Sequence, residues 1–331
     1  MDAPTPTQPA WPDAQISDLQ GQSATDQVIP GRLFGLQGRL ARPFWGVMGV
    51  WATACGAVAS NQFHWAASDL LTLALVLILV DLAWGSLWDL VVGIDWRRLW
   101  AGRRRPAQPE LFAARPAKLV GLPYTQPGSP GGRIFGGLSR FACRWREDFW
   151  PEAGPAVLGS LAAVAVAVVV SLLLPERLRV LNVALVALAG LGLIQRLQGR
   201  APLAVQALVL VGLSWLAGHA TFAQVSRPSL ILVTAFTLAT WGALRAAGGP
   251  RRGSWLLNGG QMLAVAIVAA MKQPLAAGLM GLLVFGQIAL QPALSLGEGP
   301  ALKREQDLVR ILRRSWPWLL ATMIVAAWAV P

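Results

Sequence analysis

Long stretches of Ala, Leu, Val, Ile, Gly and Trp, separated by short clusters of Pro, Arg, Gln, Ser and Gly, recur from Phe44 to the end of the chain. Crossing the hydrocarbon core of a bilayer takes about 20 apolar residues at 1.5 Å per residue, with a range of about 17 to 25. The pattern predicts about nine transmembrane helices, near Phe44 to Ser60, Leu70 to Val92, Ala156 to Leu174, Val180 to Ile194, Pro202 to Ala220, Pro228 to Leu244, Leu256 to Met271, Pro274 to Leu290 and Trp316 to Val330. The fourth and seventh runs are the short ones. The expected fold class is all-α, a single transmembrane domain over residues 31–331.

The longest interruption runs from Trp96 to Glu152 and is loosest at Pro123–Gly132, which is rich in Pro and Gly. Beyond it, Ile134, Leu138, Phe141, Trp145 and Phe149 recur at spacings of three and four, with Arg140, Arg144 and Glu147 on the opposite side. One apolar stripe of this kind predicts an amphipathic helix over about 134–150, lying in the membrane interface of the cytoplasmic loop 96–152. A second such segment is expected at Ala301–Arg314, just before the last span.

Composition agrees with lipid as the main solvent: 55% of the residues are hydrophobic and 13% are charged, where a soluble domain carries about 25% charged residues. The net charge of +12 would ordinarily raise the question of nucleic acid. Its distribution removes that reading, because basic residues flanking membrane spans are retained in the cytoplasm. With the N-terminus inside and the C-terminus outside, the nine spans put 24 of the Arg and Lys residues on the cytoplasmic side. Only 4 fall on the other side, Arg177, Arg179, Arg227 and Lys272. Adding or removing one span in the middle would scramble that division.

Residues 1–30 hold Asp2, Asp13, Asp18 and Asp26 among Pro, Gln, Thr and Ser, with no basic residue. A segment this polar buries too little apolar surface to offset its ordering entropy, so a disordered acidic tail is expected. It has neither the basic start nor the apolar core of a cleavable signal, which leaves targeting to the first span. Cys55 and Cys143, in a span and in a cytoplasmic loop, do not make a disulfide framework. Most of the 16 Trp residues stand near predicted span ends, as headgroup-level anchors do. No internal repeat is visible.

Polar residues inside the spans are the candidates for chemistry. The second span carries Asp81, Gly85, Ser86 and Asp89, then Gly93 and Asp95, and a spacing of four predicts one face for Asp81, Gly85 and Asp89. An acid such as Asp81 within a span marks a function or a buried partner. Asn182 and Gln195 on the fourth span either join Asp81 in a polar cluster or tether helices to one another. His64 and His219 both fall toward the outer side, where neutral imidazoles could ligate haem or a chlorophyll-type pigment or simply form interfacial hydrogen bonds. Nucleophilic serine motifs, a P-loop and zinc patterns are absent from the sequence.

The run Asp89-Leu90-Val91-Val92-Gly93-Ile94-Asp95 reads D-x-x-x-G-x-D at the cytoplasmic end of the second span. It resembles the tail of the first aspartate-rich motif of the UbiA prenyltransferase superfamily, in particular the menaquinone-branch naphthoate prenyltransferases. Arg42-Pro43 entering the first span is similar to the start of those proteins, and their topology is also nine helices with the N-terminus inside. The resemblance implies Asp89 and Asp95 as metal ligands, holding Mg²⁺ against an isoprenoid diphosphate. The Asn and first Asp of the family's motif correspond here to Gly85 and Ser86. The second motif would fall in the loop Arg245–Ser254, yet no Asp or Glu occurs between Glu176 and Glu298. Mg²⁺ is usually bound by carboxylates together with substrate phosphates, so standard metal-assisted ionisation lacks half its ligands.

The loops that would flank the diphosphate instead carry Arg103, Arg104 and Arg105, and Arg251 and Arg252. Arginine pairs with phosphate oxygens directly, although arginines here also serve topology and meet anionic lipid nonspecifically.

The expected protein is a diverged, non-catalytic UbiA-like protein of the bacterial inner membrane. It would bind an isoprenoid, a quinone or a lipid, or serve as a subunit of a membrane complex. Two alternatives stand beside it. One is an active prenyltransferase with an atypical metal site built from Asp81, Asp89 and Asp95, the only case that calls for Mg²⁺. The other is a transporter with Asp81 as its coupling group.

Overall fold

The computed structural model describes residues 45–94, 96, 130–131, 138, 145–146, 150–246, 250–290 and 301–331. The acidic tail, Cys143, Asp95, Arg103–Arg105 and most of the expected interfacial helix at 134–150 lie outside the described residues. Among the described residues the secondary structure is helical, with no strand.

Each apolar run forms a helix. In chain order these are α1 (Trp45–Ala59), α2 (Ala67–Gly93), α3 (Trp150–Leu173), α4 (Arg177–Leu197), α5 (Leu203–Phe222), α6 (Arg227–Ala246), α7 (Pro250–Ala270), α8 (Pro274–Leu290) and α9 (Ala301–Trp328). Six described segments have the length and hydropathy to cross a membrane: α2 to α6, and α7 from Gly253. The apolar parts of α1, α8 and α9 are shorter, at Val47–Ala59, Pro274–Leu290 and Ser315–Trp328. The chain is an all-α integral membrane protein. The charged segment Ala301–Arg314, expected as a separate interfacial piece, is continuous with the last apolar segment in one helix of 28 residues.

Polar residues in left-handed conformation end the helices where the apolar runs stop. Asn61 (φ 54°), Gly199 (φ 76°) and Lys272 (φ 61°) follow α1, α4 and α7. At two of these ends the chain folds back on the last turn, with the Arg200 N–H donating to the Gln195 carbonyl (2.8 Å) and the Gln273 N–H to that of Val268 (3.3 Å). That pattern satisfies carbonyls the helix itself leaves unpaired. Pro202 and Pro274 then open the next helices, since proline lacks the N–H that a first turn would leave unused.

Two helices contain a turn of wider pitch. In α2 the segment Leu79–Trp84 is a π-turn, flanked by α-helical Ala67–Ile78 and Gly85–Gly93. In α5 the π-turn is Leu208–Leu213, and the Ser214 hydroxyl donates to the Val209 carbonyl (3.0 Å). Gly49 of α1 lies between the two: a Cβ there would be 3.5 Å from Val80 and 3.9 Å from the Leu210 carbonyl.

Buried side chains gather in two cores. The larger joins α1 with α5 to α9 and includes Met48, Trp215, Phe236, Met280 and Met323; the Trp215 and Phe236 rings stack at 5.9 Å. The smaller joins α2, α3, α4 and the opposite side of α5 through Leu79, Trp84, Trp88, Val170, Leu178, Leu185 and Val209. Helix α5 is the wall they share.

Candidate functional site

Asp81 sits near the middle of α2, which has 27 residues, and is therefore about 20 Å from either end at 1.5 Å per residue. It is partly buried and lies inside the π-turn. A π-turn inserts one residue into the helical repeat, so the remainder of the helix is rotated by about 100° from where an unbroken α-helix would place it. The regular spacing of Asp81, Gly85 and Asp89 therefore does not translate into one shared environment: Asp81 is partly buried and Asp89 is exposed.

Next to Asp81 along α2 begins a chain of polar contacts through the smaller core. The Trp84 indole N–H donates to Asn182 Oδ1 (2.7 Å), and the Asn182 amide donates to Ser171 Oγ (2.6 Å), so one side chain joins α2, α3 and α4. Two residues nearer the end of α2, the Ser160 hydroxyl reaches the Ser86 carbonyl (3.4 Å). Ser86 thus contributes its backbone to this seam. At the very end of α2 the Arg196 guanidinium donates to the Val92 carbonyl, and the Trp96 indole donates back to that of Leu90 (3.0 Å). Asn182 acts as a tether between helices. Buried polar groups require such partners, because an unmade hydrogen bond in an apolar interior costs about 1–3 kcal/mol.

The metal ligands implied by the resemblance are Asp89, which is exposed, and Asp95, outside the described residues. Among the described residues no group of three or more His, Cys, Asp or Glu side chains is gathered where it could hold a metal ion. On either side of the α6–α7 connection, where a second carboxylate cluster would belong, the two helices are in backbone contact. A Cβ on Gly242 would fall 2.2 Å from the Leu257 nitrogen, and one on Gly253 2.2 Å from the Ala246 nitrogen. Arg251 and Arg252 occupy the first turn of α7. The donor set of the described residues does not fit a two-cluster magnesium site.

The two histidines lie at the same end of the bundle in different settings. His64, on the α1–α2 turn, is exposed, and its backbone N–H donates to Asp69 Oδ2 (2.9 Å). His219 is buried at the end of α5, with Nε2 3.1 Å from the Gln224 carbonyl and Nδ1 3.4 Å from Ser229 Oγ. Ser229 Oγ in turn accepts the Trp215 indole N–H (2.8 Å). With both ring nitrogens engaged inside the protein, His219 fastens the α5–α6 turn. Phe63 beside His64 packs edge to face on Phe222 (5.3 Å), bringing the α1–α2 turn onto the end of α5.

Comparison with protein-family models, with curated proteins and with solved structures finds no match to this chain.

The most symmetrical polar contact in the larger core lies between Gln261 of α7 and Gln287 of α8. Their side-chain amides exchange two hydrogen bonds, 3.0 and 2.8 Å, and both residues are fully buried. Sequence reasoning passed over them, although an uncharged amide within each of two consecutive apolar runs was a usable sign of a tether.

Proposed function

We propose that the chain is a diverged, non-catalytic UbiA-like membrane protein that binds an isoprenoid, a quinone or a lipid, or acts as a subunit of a membrane complex. Its nine helices would all cross the bilayer of the bacterial inner membrane, with the N-terminus in the cytoplasm and the C-terminus outside. Two contacts support this alternation. The Arg196 bond to the Val92 carbonyl joins the ends of α2 and α4 on the side assigned to the cytoplasm. The Phe63–Phe222 contact joins the α1–α2 turn to the end of α5 on the other side. The distribution of basic residues favours the same orientation.

The observation that carries the non-catalytic reading is the loss of carboxylates, with none between Glu176 and Glu298. Membranes containing the protein, supplied with labelled prenyl diphosphate, aromatic acceptors and Mg²⁺, are expected to give no turnover above membranes lacking it. Mass spectrometry of the purified protein is expected to identify a retained isoprenoid, quinone or lipid or a stable partner. Turnover that disappears in Asp89→Ala would overturn this reading in favour of an atypical prenyltransferase.

A further inference from the structure

The α3–α4 turn, Pro175 and Glu176, and the end of α5 border an open crevice of about 630 Å³ lined by Pro175, Glu176, Arg177, Val180 and Thr221. It lies at the far end of α4 from Arg196, and therefore from Asp89 and the end of α2; α4 has 21 residues, which is about 30 Å of helix. It is thus separate from anything the aspartates do.

Its lining is divided between charge and hydrocarbon. Glu176 is engaged with Arg179, 3.7 Å away, while Arg177 has no ion-pair partner among the described residues. Thr221 turns its hydroxyl inward to the Ala217 carbonyl (2.6 Å), leaving the crevice wall there without a competing donor. Immediately beside it, Leu172, Leu173 and Val180 are each more than two-thirds exposed. A turn joining two spans lies at headgroup level, and the faces of α3 and α4 below it lie at the level of acyl chains.

We propose that this crevice seats an anionic phospholipid, with Arg177 holding the phosphate and the acyl chains lying along Leu172, Leu173 and Val180. A guanidinium recognises a phosphate by charge-assisted hydrogen bonds. The local balance of Arg177, Arg179 and Glu176 is positive, which disfavours a headgroup carrying its own cation. The inference requires the chain to be in the membrane and is independent of the UbiA-like reading.

Native mass spectrometry of the full chain, released from detergent micelles and titrated separately with phosphatidylglycerol, phosphatidylcholine and inorganic phosphate, tests it. Phosphatidylglycerol is expected to bind most tightly. Arg177→Gln is expected to weaken it about tenfold, the worth of one charge-assisted hydrogen bond. Arg177→Lys should retain most of the affinity, and Arg227→Gln, a cation outside the crevice, all of it. The side chain of Arg177 is exposed, so Arg177→Gln should melt with the wild type. Unchanged binding in Arg177→Gln overturns the proposal. So does phosphatidylcholine binding as tightly as phosphatidylglycerol, and inorganic phosphate matching the lipid would assign the crevice to a free anion instead.

Discussion

The two cores solve the problem of holding helices together in lipid by opposite means. Around α1, α5, α6 and α7, glycine and alanine bring backbones into contact, whereas α2, α3 and α4 keep bulky aliphatic side chains and are tied by polar groups. Burial differs most at the extremes: 67% of the spanning window of α5, the shared wall, and 61% of that of α6 are buried, against 22% for both α3 and α4, with α7 and α2 between at 33% and 28%. Hydrocarbon side chains gain little by leaving one apolar solvent for another, so close approach and hydrogen bonds must supply the association. The larger core uses the first device among α1, α5, α6 and α7 and adds hydrogen bonds at Trp51, at Trp215 and Ser229 and between Gln261 and Gln287; the smaller depends on Asn182 and Trp84.

The division between the cores is most vulnerable at the α1–α5 crossing. A Cβ on Gly56 would lie 2.0 Å from the Trp215 carbonyl oxygen, and one on Gly218 1.9 Å from that of Thr53. Neither neighbour is a side chain that can rotate away, so the helices themselves must part. Overpacking of a filled core typically costs about 1–3 kcal/mol and occasionally more, and a backbone clash belongs at the upper end. Gly56→Ala and Gly218→Ala are each expected to lose about 3 kcal/mol in detergent-micelle unfolding. Wild-type stability in both would remove backbone contact as the basis of the larger core.

The amide pair should have a smaller effect and a distinctive pattern. Gln261→Leu or Gln287→Leu leaves the other amide buried without its partner, at a cost of about 1–2 kcal/mol. The double substitution removes both polar groups and is expected to recover at least half of that loss. A double variant as unstable as the sum of the two singles would mean that packing volume, and not the exchanged hydrogen bonds, matters at this site.

Much of this division was hidden in the sequence while the helices themselves were plain. The apolar runs carried the positions of α1 to α9 because bilayer thickness imposes a length, and Asn61, Gly199, Pro202 and Pro274 marked the turns by their own backbone preferences. Even so, the short fourth run, Val180–Ile194, belongs to a helix extending from Arg177 to Leu197, since charged residues at headgroup level continue a helix without adding to its apolar count. The π-turns at Leu79–Trp84 and Leu208–Leu213 left no compositional mark, which is why the regular spacing predicted one face for Asp81 and Asp89. Asn182 was legible as a polar residue in a span. Its partners Trp84 and Ser171, 98 and 11 residues away, were not, because nothing local specifies which helices are neighbours.

Glycine shows the same limit most sharply, and it provides the smallest and most discriminating prediction. Gly190 in α4 stands in an apolar run much as Gly56 does in α1, and the local sequence does not tell them apart. A Cβ on Gly190 would meet nothing within 4 Å, and the residue is exposed on the sparsely packed side of the molecule. There the helix keeps the conformational cost of glycine without the close approach that offsets it, about 0.5–1 kcal/mol relative to alanine. Gly190→Ala is therefore expected to raise stability by about 0.5 kcal/mol in the same unfolding assay, opposite in sign to Gly56→Ala. A loss comparable to that at Gly56 would place another helix or another protein against this face of α4. That outcome would also shift the proposed function from lipid binding toward a subunit role, because a face packed in an assembly would then have the small-residue requirement seen at the backbone contacts among α1, α5, α6 and α7.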